Sequence, residues 1–360
     1  MPKKSILLVA DPFLQVPPLT YGGVERVVDI LAEGLAANDW NVILACHPHS
    51  TCNVHILRLP SAEGGSRGRV INAMKLLKHI ALNRFDIVHS SAHIDLTVLM
   101  WPLPQKVIQT FHSLPNWDAF SKRLRFIPRK NLWFTTVGKH MVKSLEHLAP
   151  TTAIHNGIKI TQFNFQPTVA ADAPLVFLGR IEPIKGTHTA IEIAKATDRK
   201  LIIAGNRSDD PLIDRYFQEQ VEPHLSEQIS YIGSVNDPQK NKLLGEAAAL
   251  LMPIDWDEPF GLVMAEALAC GTPVIGLNRG ALPEIIDHSK TGFCCHSVDE
   301  MIGAVARIGN LSRLECRHQA ESRFSSSVMV DNYISFYDKI LSGQPIGTSS
   351  SNLKINKRPL

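Results

Sequence analysis

The chain is poor in the features that mark several protein classes. None of its apolar runs approaches 18 residues, so no membrane-spanning helix is expected. The start, Met1-Pro2-Lys3-Lys4-Ser5, leads into an apolar run of about five residues that stops at Asp11, too short for a signal peptide and better read as a first buried strand. The six cysteines are scattered apart from Cys294-Cys295 and form neither a zinc spacing nor a compact disulfide framework, which points to a reducing, cytoplasmic setting. No His-Glu-x-x-His occurs among the 15 histidines. Gly-x-Gly-x-x-Gly and Gly-Lys-Ser/Thr are both missing, so the dinucleotide and P-loop signatures lack their defining residues. Aromatics make up only 7% of the residues and do not interleave into a base-stacking platform, which speaks against a nucleic-acid module.

What is present describes an ordinary globule, 44% apolar and 20% charged. At 360 residues the chain exceeds the size at which one core stops growing, so two domains are expected. The formal charge of +3 hides an asymmetry: residues 1–167 carry 18 Lys+Arg against 10 Asp+Glu, a net +8, and the remainder carries −5. A basic first half suggests an anionic partner or surface without identifying it.

Short buried-type strands alternate with helical periodicity twice along the chain. In the first pass, strands at 6–10, 42–45, 54–59, 87–89, 107–111, 132–137 and 152–154 are separated by helices over about 24–37, 70–83 and 94–101 and one ending at Leu148. Glu63 to Gly68 reads as a mobile loop. After an aperiodic linker over 161–174, strands at 175–178, 201–204, 229–232, 249–253, 274–275 and 292–295 alternate with further helices, and two more helices follow at about 312–323 and 327–341. This grammar predicts an α/β protein of two Rossmann-like domains with parallel sheets. The expected boundaries are 1–167, 168–326, a terminal helix at 327–341, and a disordered tail at 342–360. Ligands of such sheets bind beyond the carboxyl ends of strands, so two facing edges make one cleft.

The organising stretch runs from Asp257-Glu258-Pro259-Phe260-Gly261-Leu262 through Glu266 to Cys270-Gly271. It follows an apolar strand, turns helical at Gly261, and stops at Gly271-Thr272-Pro273. The first helical turn leaves N–H groups unpaired, and the carboxylates of Glu258 and Glu266 accept hydrogen bonds from hydroxyls. Gly179-Arg180 through Lys185-Gly186 follows the first strand of the second half, so Arg180 and Lys185 sit on a strand-to-helix loop suited to phosphate oxygens. Taken alone they read equally as solvated surface charges. Gly22-Gly23 opens the first helix, permitting either close backbone approach or a plain tight turn. Asp255-Trp256-Asp257 has the spacing of a metal-holding Asp-x-Asp, but directly before Glu258 a hydrogen-bonded loop is expected instead. His47, His49, His89 and His93 fall on separate elements and read as strand-end or loop histidines. Between Asp118 and Glu146 there is no acid, while Lys122, Arg123, Arg125, Arg129, Lys130, Lys139 and Lys143 accompany Trp117, Phe120, Leu124 and Ile127. Three meanings stay open: a helix on an anionic membrane, a cleft wall for an anionic acceptor, or a core helix with a solvated back.

Tyr21-Gly22-Gly23-Val24-Glu25, the His112 region, His155-Asn156-Gly157, Gly179-Arg180 through Lys185-Gly186, and Glu258-Pro259-Phe260-Gly261-Leu262 through Glu266 together resemble family 4 retaining glycosyltransferases of GT-B fold, over roughly residues 5–340. The resemblance implies an enzyme moving a hexose from a nucleotide sugar, UDP-glucose before GDP-mannose, to a hydroxyl of a small molecule, glycan or lipid. It implies no prosthetic group and no essential metal. Arg180 and Lys185 would hold the donor diphosphate, Glu266 the ribose, and Glu258 the hexose, with backbone N–H groups near Phe260, Gly261 and Leu262. Gly22-Gly23 would bring the first domain to the phosphate or acceptor, and His112 would sit beside the transferred sugar. The terminal helix would cross back onto the first domain. Location would be cytoplasmic or peripheral at the inner membrane face. A nucleotide-sugar epimerase is the competing enzyme, and a nucleotide- or nucleic-acid-binding module the non-enzymatic alternative.

Overall fold

The structure, a computed structural model, describes residues 3–19, 22–60, 65–115, 130–208 and 210–346, without the side chains of 65, 66 and 212. The first unit holds seven parallel strands, β1 (Ser5–Val9), β2 (Asn41–Cys46), β3 (His55–Arg58), β4 (Ile87–Ser90), β5 (Lys106–Phe111), β6 (Leu132–Thr136) and β7 (Thr151–Ala153), in the order β3-β2-β1-β4-β5-β6-β7. The second holds six, β8 (Leu175–Leu178), β9 (Leu201–Ala204), β10 (Ile229–Tyr231), β11 (Ala249–Met252), β12 (Val274–Leu277) and β13 (Gly292–Cys295), in the order β10-β9-β8-β11-β12-β13. These are two Rossmann-like units with parallel sheets. The central strands are apolar without alternation because both faces are covered: Ile6, Leu7, Leu8 and Val9 are all buried, as are Ala249 to Met252. In each sheet the strand order reverses once, between β1 and β4 and between β8 and β11. Loops diverge there and leave a crevice at the carboxyl ends.

Helices α1 (Gly23–Ala37), α2 (Gly65–Leu82) and α3 (Ile94–Thr97) belong to the first unit. Those of the second are α4 (Thr187–Ala196), α5 (Pro211–Gln220), α6 (Asp237–Glu246), α7 (Leu262–Ala269), α8 (Leu282–Ile285), α9 (Val298–Val305) and α10 (Arg313–Phe324), and the last helix is α11 (Ser326–Ser342). Met329, Val330, Tyr333, Phe336, Tyr337 and Ile340 of α11 share one core with Ile6, Leu8, Val27, Leu31 and Leu35 of the first unit. Polar contacts fix this packing: the Tyr337 hydroxyl lies 2.6 Å from His89 Nδ1, and His89 Nε2 lies 2.6 Å from Thr110 Oγ1. Burial pushes the His89 ring down to about 3, keeping it neutral in this core. The two chain crossings are bonded to each other, Ile158 N donating to Phe324 O and Ser326 N to Ile158 O, each at 2.8 Å.

Two expectations change. Helix α2 begins at Gly65, so Gly65 to Gly68 is helical, and residues 61–64 lie outside the described residues. The helix expected before Leu148 is a 3₁₀ stretch, Lys139–Ser144, followed by turns. It has no side-chain cap, and the short crossover from β6 to β7 favours the greater rise of 3₁₀ winding. Residues 116–129, which hold most of the basic stretch, and 347–360 of the tail lie outside the described residues. Among the described residues no helix is long and apolar enough to cross a membrane.

Candidate active site

The loops after β8 and β11 meet at the point where the second sheet reverses. Lys185 ends the 3₁₀ turn Pro183–Lys185, and its Nζ donates to Glu258 Oε2 at 2.6 Å. Trp256 Nε1 donates to the same oxygen at 2.9 Å, and the Lys185 ammonium stands 5.0 Å from the Trp256 ring centroid. Both charged side chains are largely shielded, so the pair is stronger than a surface ion pair. The second oxygen of Glu258 keeps its acceptor capacity for a hydroxyl. The loop backbone is pinned by Ala281 N donating to Glu258 O at 2.9 Å. Arg180 belongs to the same β8 loop but bonds elsewhere: its Nη1 donates to Glu182 Oε1 at 2.7 Å, with 42% of the side chain exposed. Such a pair contributes about 0–1 kcal/mol and yields readily to a phosphate.

Gly261 caps α7 with φ 75°, a left-handed conformation costly for any other residue, and this aims the first turn of the helix back at the loop. The Phe260 ring is buried, edge-on to Phe324 at 5.8 Å, so only its backbone is left for a ligand. Glu266, within α7, is also buried, and Lys240 Nζ of α6 donates to its Oε1 at 2.6 Å. The start of α6 is set by a reciprocal capping box between Asn236 and Gln239. Asp237 lies 3.5 Å from Lys240 Nζ and 2.9 Å from Arg26 Nη1 on α1 of the first unit. Burial opposes ionisation of Asp237, but the Arg26 bond and the Lys240 charge outweigh it and hold the carboxyl below its usual value.

The first unit closes against this loop at three places. A Cβ on Gly23 would stand 3.2 Å from Leu262 Cδ1, and Gly22 precedes it with φ 155°. A Cβ on Gly138 would lie 2.6 Å from the Pro259 carbonyl oxygen, so no side chain fits there. Glu284 on α8 accepts from Lys139 N at 2.7 Å, His140 N at 2.8 Å, His140 Nδ1 at 3.2 Å and His155 Nε2 at 2.9 Å. Burial raises the Glu284 carboxyl, but these four donors dominate and hold it well below the usual carboxylate range.

His112 follows β5, and its Nε2 is buried without a protein partner. Burial pushes the ring down to about 4, so it is neutral at pH 7. Asp255 and Asp257 both face Arg279, Asp255 through a hydrogen bond and Asp257 at 3.5 Å, so a protein cation occupies the Asp-x-Asp motif. Among the described residues no group of three or more His, Cys, Asp or Glu suits a metal ion. His89 is buried against Tyr337, His93 bonds Asp95, and the rings of His47 and His49 lie tilted against each other, 5.4 Å between centroids. The structure therefore joins Lys185 to Glu258 and leaves Arg180 with Glu182. It also adds Trp256, Lys240, Asp237, Arg26 and Glu284, which sequence reasoning missed. Only the helix-start residues around Asp237 and Lys240 carry a local signal; the contacts themselves are tertiary.

Residues 21–162 match the family model "Glycosyltransferase Family 4", and residues 159–323 match "Glycosyl transferases group 1". A glycogen synthase of Mycobacterium tuberculosis is 34% identical over 156 residues, 41% of this chain and 36% of that protein. A phosphatidyl-myo-inositol mannosyltransferase of Propionibacterium freudenreichii is 26% identical over 277 residues, 70% of this chain and 66% of that protein. The chain thus spans about a third to two thirds of the length of these curated relatives. The structure of Anabaena HepE in complex with UDP and glucose superposes with a TM-score of 0.74 at 15% identity, covering 93% of this chain and all of HepE, and shares the fold. Two adjoining family models cover both Rossmann-like units, and the chain belongs to the family 4 glycosyltransferases of GT-B fold.

Proposed function

We propose that the protein moves a hexose from a nucleotide sugar to a hydroxyl acceptor, with retention at the anomeric carbon and without an essential metal. The contact between Lys185 and Glu258 at the reversal point of the second sheet carries this reading, because it sets a cation for phosphate beside a carboxylate for sugar hydroxyls. UDP-glucose is the first choice of donor, in line with the UDP and glucose named for HepE, and GDP-mannose is the second. Cleavage of the sugar–phosphate bond leaves positive character on the anomeric carbon and added negative charge on the diphosphate. Fixed donors act on charge that grows only in the transition state, and this is the role of Arg180 and Lys185. Glu258 takes hexose hydroxyls, Glu266 the ribose diol, and the N–H groups around Gly261 and Leu262 the remaining donor oxygens. His112 offers an unpaired ring nitrogen to the sugar, and Gly22-Gly23 brings the first unit's backbone to the acceptor side. Retention follows the family pattern, in which the departing phosphate takes the acceptor's proton on the face it leaves. Arg279 already pairs with Asp255 and stands 3.5 Å from Asp257, which supports chemistry without a divalent ion at that motif. The test is an array of nucleotide sugars against sugar, glycan and lipid acceptors, read by product mass and by NMR of the new anomeric centre. A β-linkage from an α-linked donor overturns retention, and transfer from no nucleotide sugar overturns the whole reading.

A further inference from the structure

We infer that Lys240 is a positioning residue that sets the donor site's preference for ribose over deoxyribose, and that Arg26 of the opposing unit reinforces it through Asp237. The inference rests on the proposed role of Glu266 toward the ribose diol. A carboxylate reads a diol well only when its plane is fixed, and a glutamate has three side-chain torsions to lose. Lys240 removes that freedom by holding Oε1 at 2.6 Å, which leaves Oε2 directed by the same bond. Lys240 is itself held from two sides, by Asp237 at 3.5 Å and by the Phe163 ring, whose centroid is 5.6 Å away. Asp237 in turn is bonded to Arg26 in the first turn of α1, three residues after Gly23. Four side chains of alternating sign, Arg26, Asp237, Lys240 and Glu266, thus run from the first unit across the cleft to the carboxylate. Lys240 and Glu266 are largely shielded, with 14% and 9% of their side chains exposed, so water does not substitute for the missing partner if one is lost.

The experiment is calorimetric binding of UDP, GDP and ADP, each beside its 2′-deoxy counterpart, to the wild-type protein and to K240M, K240R and R26M. A hydrogen bond to a charged group is typically strong enough for about tenfold or greater discrimination, so the wild type should prefer one ribonucleotide by that factor. K240M should bring the ribose/deoxyribose ratio close to one, K240R should restore part of it, and R26M should lower it to an intermediate value. A K240M protein that binds both forms more weakly by the same factor, leaving the ratio intact, has lost only structure, and the inference falls. If K240M does not fold, K240R and R26M decide, and a ratio unchanged in both overturns the inference. A wild type that binds nucleoside diphosphates with no ribose preference overturns this inference alone. A wild type that binds none of them overturns the donor reading on which it stands.

Discussion

Replacing Glu284 by Ala should loosen the two units more than any other single change at their interface. The carboxylate gathers four N–H donors from the first unit, two of them main-chain groups of Lys139 and His140 that have no replacement partner on their own side. Only 13% of the Glu284 side chain is exposed. An orphaned, shielded donor costs about 1–3 kcal/mol, and removing one side of a buried charged network costs about 3–5 kcal/mol in all. Urea unfolding followed by tryptophan fluorescence should therefore show E284A less stable by about 3–5 kcal/mol, with E284Q in between because its carbonyl still accepts. The pH dependence has a definite sign. A carboxyl depressed in the folded state contributes fully above its unfolded value, near about 4.3, and the contribution is lost as pH falls through the folded one. The gap between wild type and E284A should begin to narrow below about 4 and vanish only as pH falls through the depressed folded value. A gap under about 1 kcal/mol at pH 7, or one that widens below about pH 4, refutes the account.

Arg180→Ala should lower turnover about a hundredfold or more, since losing one electrostatic donor of this type costs about 2.7–4 kcal/mol; near-normal turnover would remove Arg180 from the diphosphate. Transfer activity should survive full chelation of divalent ions by EDTA, because Arg279 supplies the positive charge at Asp255 and Asp257, and a strict magnesium requirement would contradict it. The six cysteines are free, five of them buried, and burial pushes Cys294 and Cys295 up to about 11 and Cys270 and Cys316 up to about 12. Native protein at pH 8 should therefore react slowly with Ellman's reagent and release all six thiols only on denaturation; a fast-reacting thiol in the folded state would show that one of these sites is open.

The strands were legible because fully buried parallel strands read as short apolar runs, as Ile6 to Val9 and Leu250 to Met252 do. The pairing of Lys185 with Glu258 was within reach for the same reason, since both loops leave neighbouring strands at their carboxyl ends. The start of α2 was not, because Gly-Ser-Arg-Gly is turn-like locally and is carried into the helix by the apolar stripe beyond it. The 3₁₀ stretch at Lys139–Ser144 was misread as α-helix, since the two share nearly the same short-range pattern. Glu284, Lys240 and Arg26 escaped altogether. Their partners lie 26 to 211 positions away, and a charged residue on a short helix looks the same in sequence whether it faces solvent or the opposite domain.

Two electrostatic ties between the units, among the described residues, differ in shielding and so in their response to salt. On one side of the loop 258–262, Arg26 meets Asp237 with 27% and 47% of their side chains exposed; on the other, Glu284 is held by two amides and two imidazoles with little access to water. Salt screens the first tie and hardly touches the second. Between them, Gly138 abuts Pro259 and Gly23 abuts Leu262, contacts that tolerate little sliding because one side of each has no side chain to give way. Added salt should therefore weaken the Arg26–Asp237 tie while leaving the Glu284 contacts in place.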